Sequence, residues 1–171
     1  MHERYERELG NDLGNLLSRT TAMISRFRDG TLPAAPGRTA AIADEITSVR
    51  ADAHAAFAAF DITGAVDRVW ALVRALNRYV TDQKPWELAK DEAKSGVLDQ
   101  VLFDLADGLR VCAVALAAHL PETAPKILGA LGQPLDLDWD EVEYGRHQPA
   151  TGIEPAPPLF PRIEPADADA A

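Results

Sequence analysis

The chain has 171 residues, 47% of them hydrophobic, and a formal net charge of −10, which allows one well-cored domain and excludes a second, catalytic one. One cysteine, Cys112 in the apolar run LRVCAVALAAHL, cannot form an internal disulfide or a four-ligand metal site and is expected to act as a buried small hydrophobe. The charged start MHERYERELGN is no signal peptide, and no apolar run nears the roughly 20 residues of a membrane span, so a cytoplasmic location is expected.

Leu9, Leu13, Leu16, Leu17, Thr20, Met23, Ile24 and Phe27 recur at helical spacing and predict a first helix from Glu3 to Arg28. Gly10 and Gly14 lie inside that span at a cost of about 1 kcal/mol each, which fits either a close neighbour or a tolerated weakness. Asn15 and Arg19 are one turn apart and read, by spacing alone, as a solvated polar edge. The Gly/Pro-rich connector DGTLPAAPGR reverses the chain. A second helix then runs from Thr39 to Phe60, with Ile42, Ile46, Val49, Ala53, Ala56, Phe57 and Phe60 facing the core. His54 has no ligand-spaced partner and reads as an exposed or hydrogen-bonded histidine.

After a break capped by Asp61 or Thr63, the residues Val66, Val69, Trp70, Val73, Leu76, Tyr79 and Val80 predict a third helix whose pattern stops at Asp82. Pro85 disfavours helix at Lys84 and forces a turn, which mounts Trp86 at the start of a short helix from Glu87 to Lys94. From spacing alone Trp86 is a cap on the core. A long helix follows, with Val97, Val101, Leu102, Leu105, Leu109, Cys112, Leu116 and Leu120 inward and Pro121 as its end, and a last one spans Glu122 to Leu131 with Gly132 as C-cap. No stretch alternates as a strand does. The expected fold is therefore all-α: an antiparallel bundle of five to six helices over residues 1–132. Residues 133–171 form an acidic, proline-rich tail with Leu135, Leu137, Trp139, Leu159, Phe160 and Ile163 available to dock as an extended strap, and a mobile end.

The run NRYVTDQKPWELAKD, from Asn77 to Asp91, closely resembles the "NxY…PW.LAK" signature of the anticodon-binding domain of methionyl-tRNA synthetases. Two further blocks agree in order: LGNDLGNLLSRTTAMISRF, with the "N-L-x-x-R" core at Asn15, Leu16 and Arg19, and HLPETAPKILGALG near the end of the bundle. The closing EPAPPLFPRIE is similar to the C-terminal end of actinobacterial-type versions. The resemblance implies the C-terminal domain of a class I aminoacyl-tRNA synthetase without its catalytic half. Met1 stands where that half would join. The "HIGH" and "KMSKS" signatures do not occur, and KSGVL at Lys94 is no usable version.

The same resemblance implies that Trp86, with Pro85 fixing its approach, stacks on an anticodon base, and that Asn15 and Arg19 hydrogen-bond the bases of the CAU loop of methionine tRNA. Both residue types suit that task, since Asn offers donors and an acceptor and Arg a planar fork. Arg26, two turns beyond Arg19, is added by position as a phosphate contact. The implied partners are tRNA and the synthetase's catalytic domain, in cis or in trans; no membrane and no DNA is implied. ATP and methionine belong to that catalytic domain, and no cofactor is expected in this chain. No glycine-rich phosphate loop, H-E-x-x-H, paired-cysteine or G-x-S-x-G motif is present, and Glu141 and Glu143 read as solvated carboxylates, so no catalytic and no metal-binding residue is assigned.

Net charge argues the other way, because Lys and Arg usually dominate affinity for nucleic acid. Its placement softens the conflict. From Pro134 onward nine acidic residues face two basic ones, leaving 18 against 15 in residues 1–133. The alternative is a helical protein-interaction or docking module that no longer binds RNA.

Overall fold

The computed structural model describes residues 12–34, 37 and 39–160. Among them it is an all-α bundle in which the longest β feature is a single antiparallel bridge between Leu32 and Ala150. The helices are α1 (Asn15–Arg28), α2 (Ala40–Ala58), α3 (Ile62–Gln83), α4 (Pro85–Leu88), α5 (Ser95–Leu116) and α6 (Ala124–Ala130). No helix is long and apolar enough to cross a membrane among the described residues.

α5 is the axis. Every residue from Val101 to Leu116 is buried, so this helix has no solvent face over most of its length. α3 packs antiparallel to it, with Leu76 lying on Gly108 and Tyr79 reaching Asp104. A Cβ at Gly108 would come within 2.6 Å of a Leu76 methyl, so this glycine is what lets the two helices close. Leu13, Leu16, Leu17 and Ile24 of the first segment and Ile42, Ile46, Val49 and Ala53 of α2 complete the core.

The expected helices are present, several with shorter bounds, while α3 runs one residue past the expected stop at Asp82. Residues 12–14 form a π turn that runs into α1, and Gly14 within it keeps helical backbone angles (φ −62°, ψ −46°), inside the helical run as expected; Gly10, Leu9 and the residues before them lie outside the described ones. α2 stops at Ala58, and Phe60 adopts a left-handed backbone (φ 57°) with 89% of its surface exposed. Its place in the spacing pattern is an accident of a helix that has already ended. Asp61 caps α3 by accepting from the Gly64 amide. Val97 is also exposed, in the first turn of α5 before that helix enters the core. The helix expected over Glu87–Lys94 is split: α4 is a single turn ending at Leu88, and a 3-10 turn occupies Glu92–Lys94. α5 ends four residues before Leu120, which is half-buried. Gly132 (φ 66°) closes α6, with its own amide bonded to the Gly129 carbonyl and that of Gln133 to Leu128.

Residues 133–160 run over the bundle without an α-helix or strand, with a 3-10 turn at Trp139–Glu141. Val142, Ala150 and Ile153 are buried there, while Trp139 packs edge-on against Phe57. Leu135 and Leu137, given above as docking residues, are exposed because the chain there bends away through turns of its own aspartates. The strap then returns along α1. Ile153 donates its amide to the Gly30 carbonyl, and Ala156 bonds through both backbone groups to the Ser18 and Thr21 hydroxyls. Leu159 and Phe160 pack on the core; Ile163 and the acidic end lie outside the described residues.

Candidate functional site

The end of α3 is set by its backbone. Lys84 takes the left-handed conformation (φ 47°, ψ 60°), its amide bonds back to Val80, and its carbonyl receives the amides of Glu87 and Leu88. Pro85 then occupies the first position of α4, where a missing amide hydrogen costs nothing. Pro85 is buried and Leu88 packs on the core, so the turn is held by these two while Trp86 between them keeps 40% of its surface exposed. The Glu87 carboxylate and the Lys90 ammonium, 2.9 Å apart, brace the same turn from outside. The expectation from spacing, that Trp86 caps the core, is not met: Trp86 is not among the residues packed against the core, and the buried tryptophan is Trp70, 5% exposed.

On α1, Leu16, Leu17, Thr20, Thr21 and Ile24 face inward. Asn15, Arg19 and Arg26 are exposed, and at 100° per residue they fall within about 40° of one another, on a single outward line. Arg26 also places its guanidinium 5.8 Å from the Phe27 ring centre. This helix is fastened at both ends to the elements that flank the corner. Asn77 of α3 donates to the Asp12 carbonyl at 3.2 Å, and Arg28 pairs with Asp99 while donating to Ser95. In sequence the corner, residues 84–94, lies between those two fastenings. The structure thus puts Asn15, Arg19 and Arg26 on one line and Pro85 with Trp86 on one turn. Among the described residues no hydrogen bond or ring contact joins the two sets.

Behind this surface lies a polar interior that spacing did not reveal. Tyr79 and Tyr144 both donate to Asp104, at 2.7 and 2.6 Å, and Gln100 donates to the same carboxylate. Burial and the Asp104 carboxylate push the Tyr79 hydroxyl well above its ordinary value and Tyr144 up to about 12, so both remain donors. One turn on, Asp107 accepts from Arg110 at 2.8 Å and from the amides of Gly145 and His147. Burial pushes the Asp107 carboxyl up, and Arg110 and the two amides pull it back. Arg110 uses its remaining nitrogens on the carbonyls of Glu141 and Glu143, both at 2.6 Å. Glu141 and Glu143 are accordingly not simply solvated: their side chains pair with Arg146, and Glu143 is held below the usual carboxylate range by that arginine. His147, buried against Phe103, is driven down to about 4 by burial and keeps an Nε2 with no partner. The signal available in sequence was the company these residues keep: charges inside a helix that is apolar on every side must be buried.

No group of three or more histidine, cysteine or carboxylate side chains placed to hold a metal exists among the described residues. His54 is exposed beside Trp139, with ring centres 6.2 Å apart. The 60 Å³ cavity lined by Arg110, Gln133, Glu141, Arg146 and Gln148 is polar, and its arginines already hold acidic or carbonyl partners.

Fold and surface together define a helical accessory domain that presents an aromatic corner and a polar helix line. No family model matches the chain. Curated relatives do: it is 34% identical to the methionine–tRNA ligase of Enterococcus faecalis over 167 residues, and 39% identical to that of Deinococcus radiodurans over 170. These alignments cover 94% and 95% of this chain and 25% and 24% of the relatives, so the chain spans about a quarter of their length. Among solved structures, apo methionyl-tRNA synthetase of Mycobacterium tuberculosis superposes with a TM-score of 0.81 at 28% identity, covering 95% of this chain and 34% of that one. The chain belongs to the methionyl-tRNA synthetase family, where it corresponds to the C-terminal helical domain.

Proposed function

We propose that this domain recognises the CAU anticodon loop of methionine tRNA and so serves methionyl-tRNA aminoacylation by a synthetase's catalytic domain. The observation that carries the reading is Trp86: a large indole left 40% exposed on a turn whose neighbours Pro85 and Leu88 are drawn inward. Exposed aromatics of fixed direction are what single-stranded RNA uses for stacking. Asn15 and Arg19, exposed on α1 and with no hydrogen bond or ion pair among the described residues, supply groups for base edges. A protein-docking reading draws instead on Phe60 and Ile62, exposed at the α2–α3 turn. That turn lies at the other end of α3, about 33 Å from the corner for a helix of 22 residues.

Hairpin binding by fluorescence anisotropy separates the readings. Trp86→Ala in the 171-residue chain should weaken binding to a CAU hairpin by about 5- to 150-fold, the worth of one stacked base, with the denaturation midpoint little changed. Asn15→Ala and Arg19→Ala should narrow the preference for CAU over a changed anticodon. Equal affinity of the parent protein for both loops would reject anticodon recognition.

A further inference from the structure

Most of the unpaired cations of this domain lie on two helices and the corner between them. Arg28, Arg50, Arg110 and Arg146 each hold a carboxylate, and Lys90 and Lys94 are paired within their own turns. Among the described residues Arg19, Arg74 and Arg78 have no ion pair and no hydrogen bond, and the same holds for Arg26, Arg68, Lys84 and Lys126. All of these except Lys126, which is on α6, lie on α1, on α3 or at the corner. With 27 acidic residues against 17 basic ones, carboxylates are not scarce in this chain. Even Asp82, one turn past Arg78 and exposed, makes no ion pair with it.

Arg74 and Arg78 are exposed one turn apart, with side-chain bases roughly 5–6 Å apart, on the side of α3 turned away from Val69, Leu76 and Val80. Thr81, also exposed, continues that line toward Lys84 and Trp86. Measured along the helix, Arg78 is about 8 Å and Arg74 about 14 Å from Gln83, a distance that a few nucleotides cover.

We infer that Arg74 and Arg78 form a phosphate track, along which the RNA strand leaving the Trp86 stack runs back over the outer face of α3. The inference rests on the RNA-binding reading above and adds the path of the backbone. Guanidinium groups grip phosphate oxygens with a two-pronged fork, and such contacts fix register without reading sequence. They also release counterions, which gives them a signature that base contacts lack. The track accounts for how a chain of net charge −10 holds a polyanion: most of the acidic excess lies in the tail, where Arg50, Arg110 and Arg146 meet part of it, while the free arginines face the RNA.

The test measures affinity for a CAU hairpin and for a changed-anticodon hairpin across a salt series. Arg74→Gln combined with Arg78→Gln should weaken both by the same factor, about 25-fold near 0.1 M salt. It should also flatten the slope of log affinity against log salt by about 1.4, at roughly 0.7 per single-strand phosphate contact. The ratio between the two hairpins should not move. Arg50→Gln combined with Lys126→Gln removes the same charge elsewhere and should leave affinity and slope as they were. A parent protein that prefers CAU while the Arg74/Arg78 variant keeps its affinity and slope would overturn the track and leave loop recognition standing. An equal loss in the Arg50/Lys126 variant would trace the effect to net charge and overturn the track as well. Failure of the parent to bind either hairpin overturns both readings, and binding of polyglutamate in their place would assign these arginines to an acidic protein surface.

Discussion

Arg110 and Arg74 both sit well inside 22-residue helices, and they meet opposite fates. Arg110 has 4% of its side chain exposed and spends every nitrogen on Asp107, Glu141 and Glu143. Arg74 is exposed and holds nothing among the described residues. The tryptophans repeat the contrast, with Trp70 buried and Trp86 open. What differs is the helix: α5 is enclosed on all sides, so any charge in it must be satisfied within the protein. α3 keeps an outer face, so a charge there is free for a partner. The seam between α5 and the tail is thus structure, while the outer faces of α1 and α3 carry arginines with no partner among the described residues.

Cutting the seam should cost the most. Asp107→Ala leaves Arg110 buried without its carboxylate and strips the amides of Gly145 and His147 of their acceptor, an expected loss of about 3–5 kcal/mol in chemical denaturation. A loss below about 1 kcal/mol would put the seam level with an exposed pair such as Arg50–Asp140, and the contrast would collapse.

Acid should sharpen the same contrast. Burial lowers His147 from 6.5 to about 4 in the fold, so the unfolded chain takes up the proton first as pH falls. The stability tied to neutral His147 is whole above pH 6.5 and drains away toward pH 4, by about 3 kcal/mol. Melting temperature followed across that range should drop in the parent protein and drop less in His147→Gln. Parallel curves would mean that the imidazole is not protected by the seam.

The strap gives the smallest effect. Gly30 has φ 73°, and a Cβ there would lie 2.8 Å from the Ile153 carbonyl oxygen, so Gly30→Ala both strains the turn and pushes the strap off. About 1–2 kcal/mol of stability should go, with faster proteolysis after Gly152 as the direct readout. Unchanged cleavage would show that the strap is held from the tail side alone.

Spacing made the helices legible because each long element has a continuous apolar line. Val69, Trp70, Val73, Leu76 and Val80 are buried as that line requires. It misled where a line ran past the physical end of its helix, as at Phe60 and Val97, since periodicity carries no information about where the backbone turns. Asp107 and Arg110 were unreadable singly, because their long-range partners are backbone groups 31 to 40 residues away in a tail with no periodicity. The corner was legible down to Pro85, whose chemistry is local. That Trp86 stays outside depended on Pro85 and Leu88 both turning inward, a tertiary fact.

Cys112 lies at 0% exposure in the middle of α5, and burial carries its thiol up to about 12. A thiol so placed reacts with an alkylating reagent only in the moments when the central helix parts from its neighbours. Being the chain's one cysteine, it serves as a built-in clock for the opening of the whole bundle, silent to the fraying of surface turns.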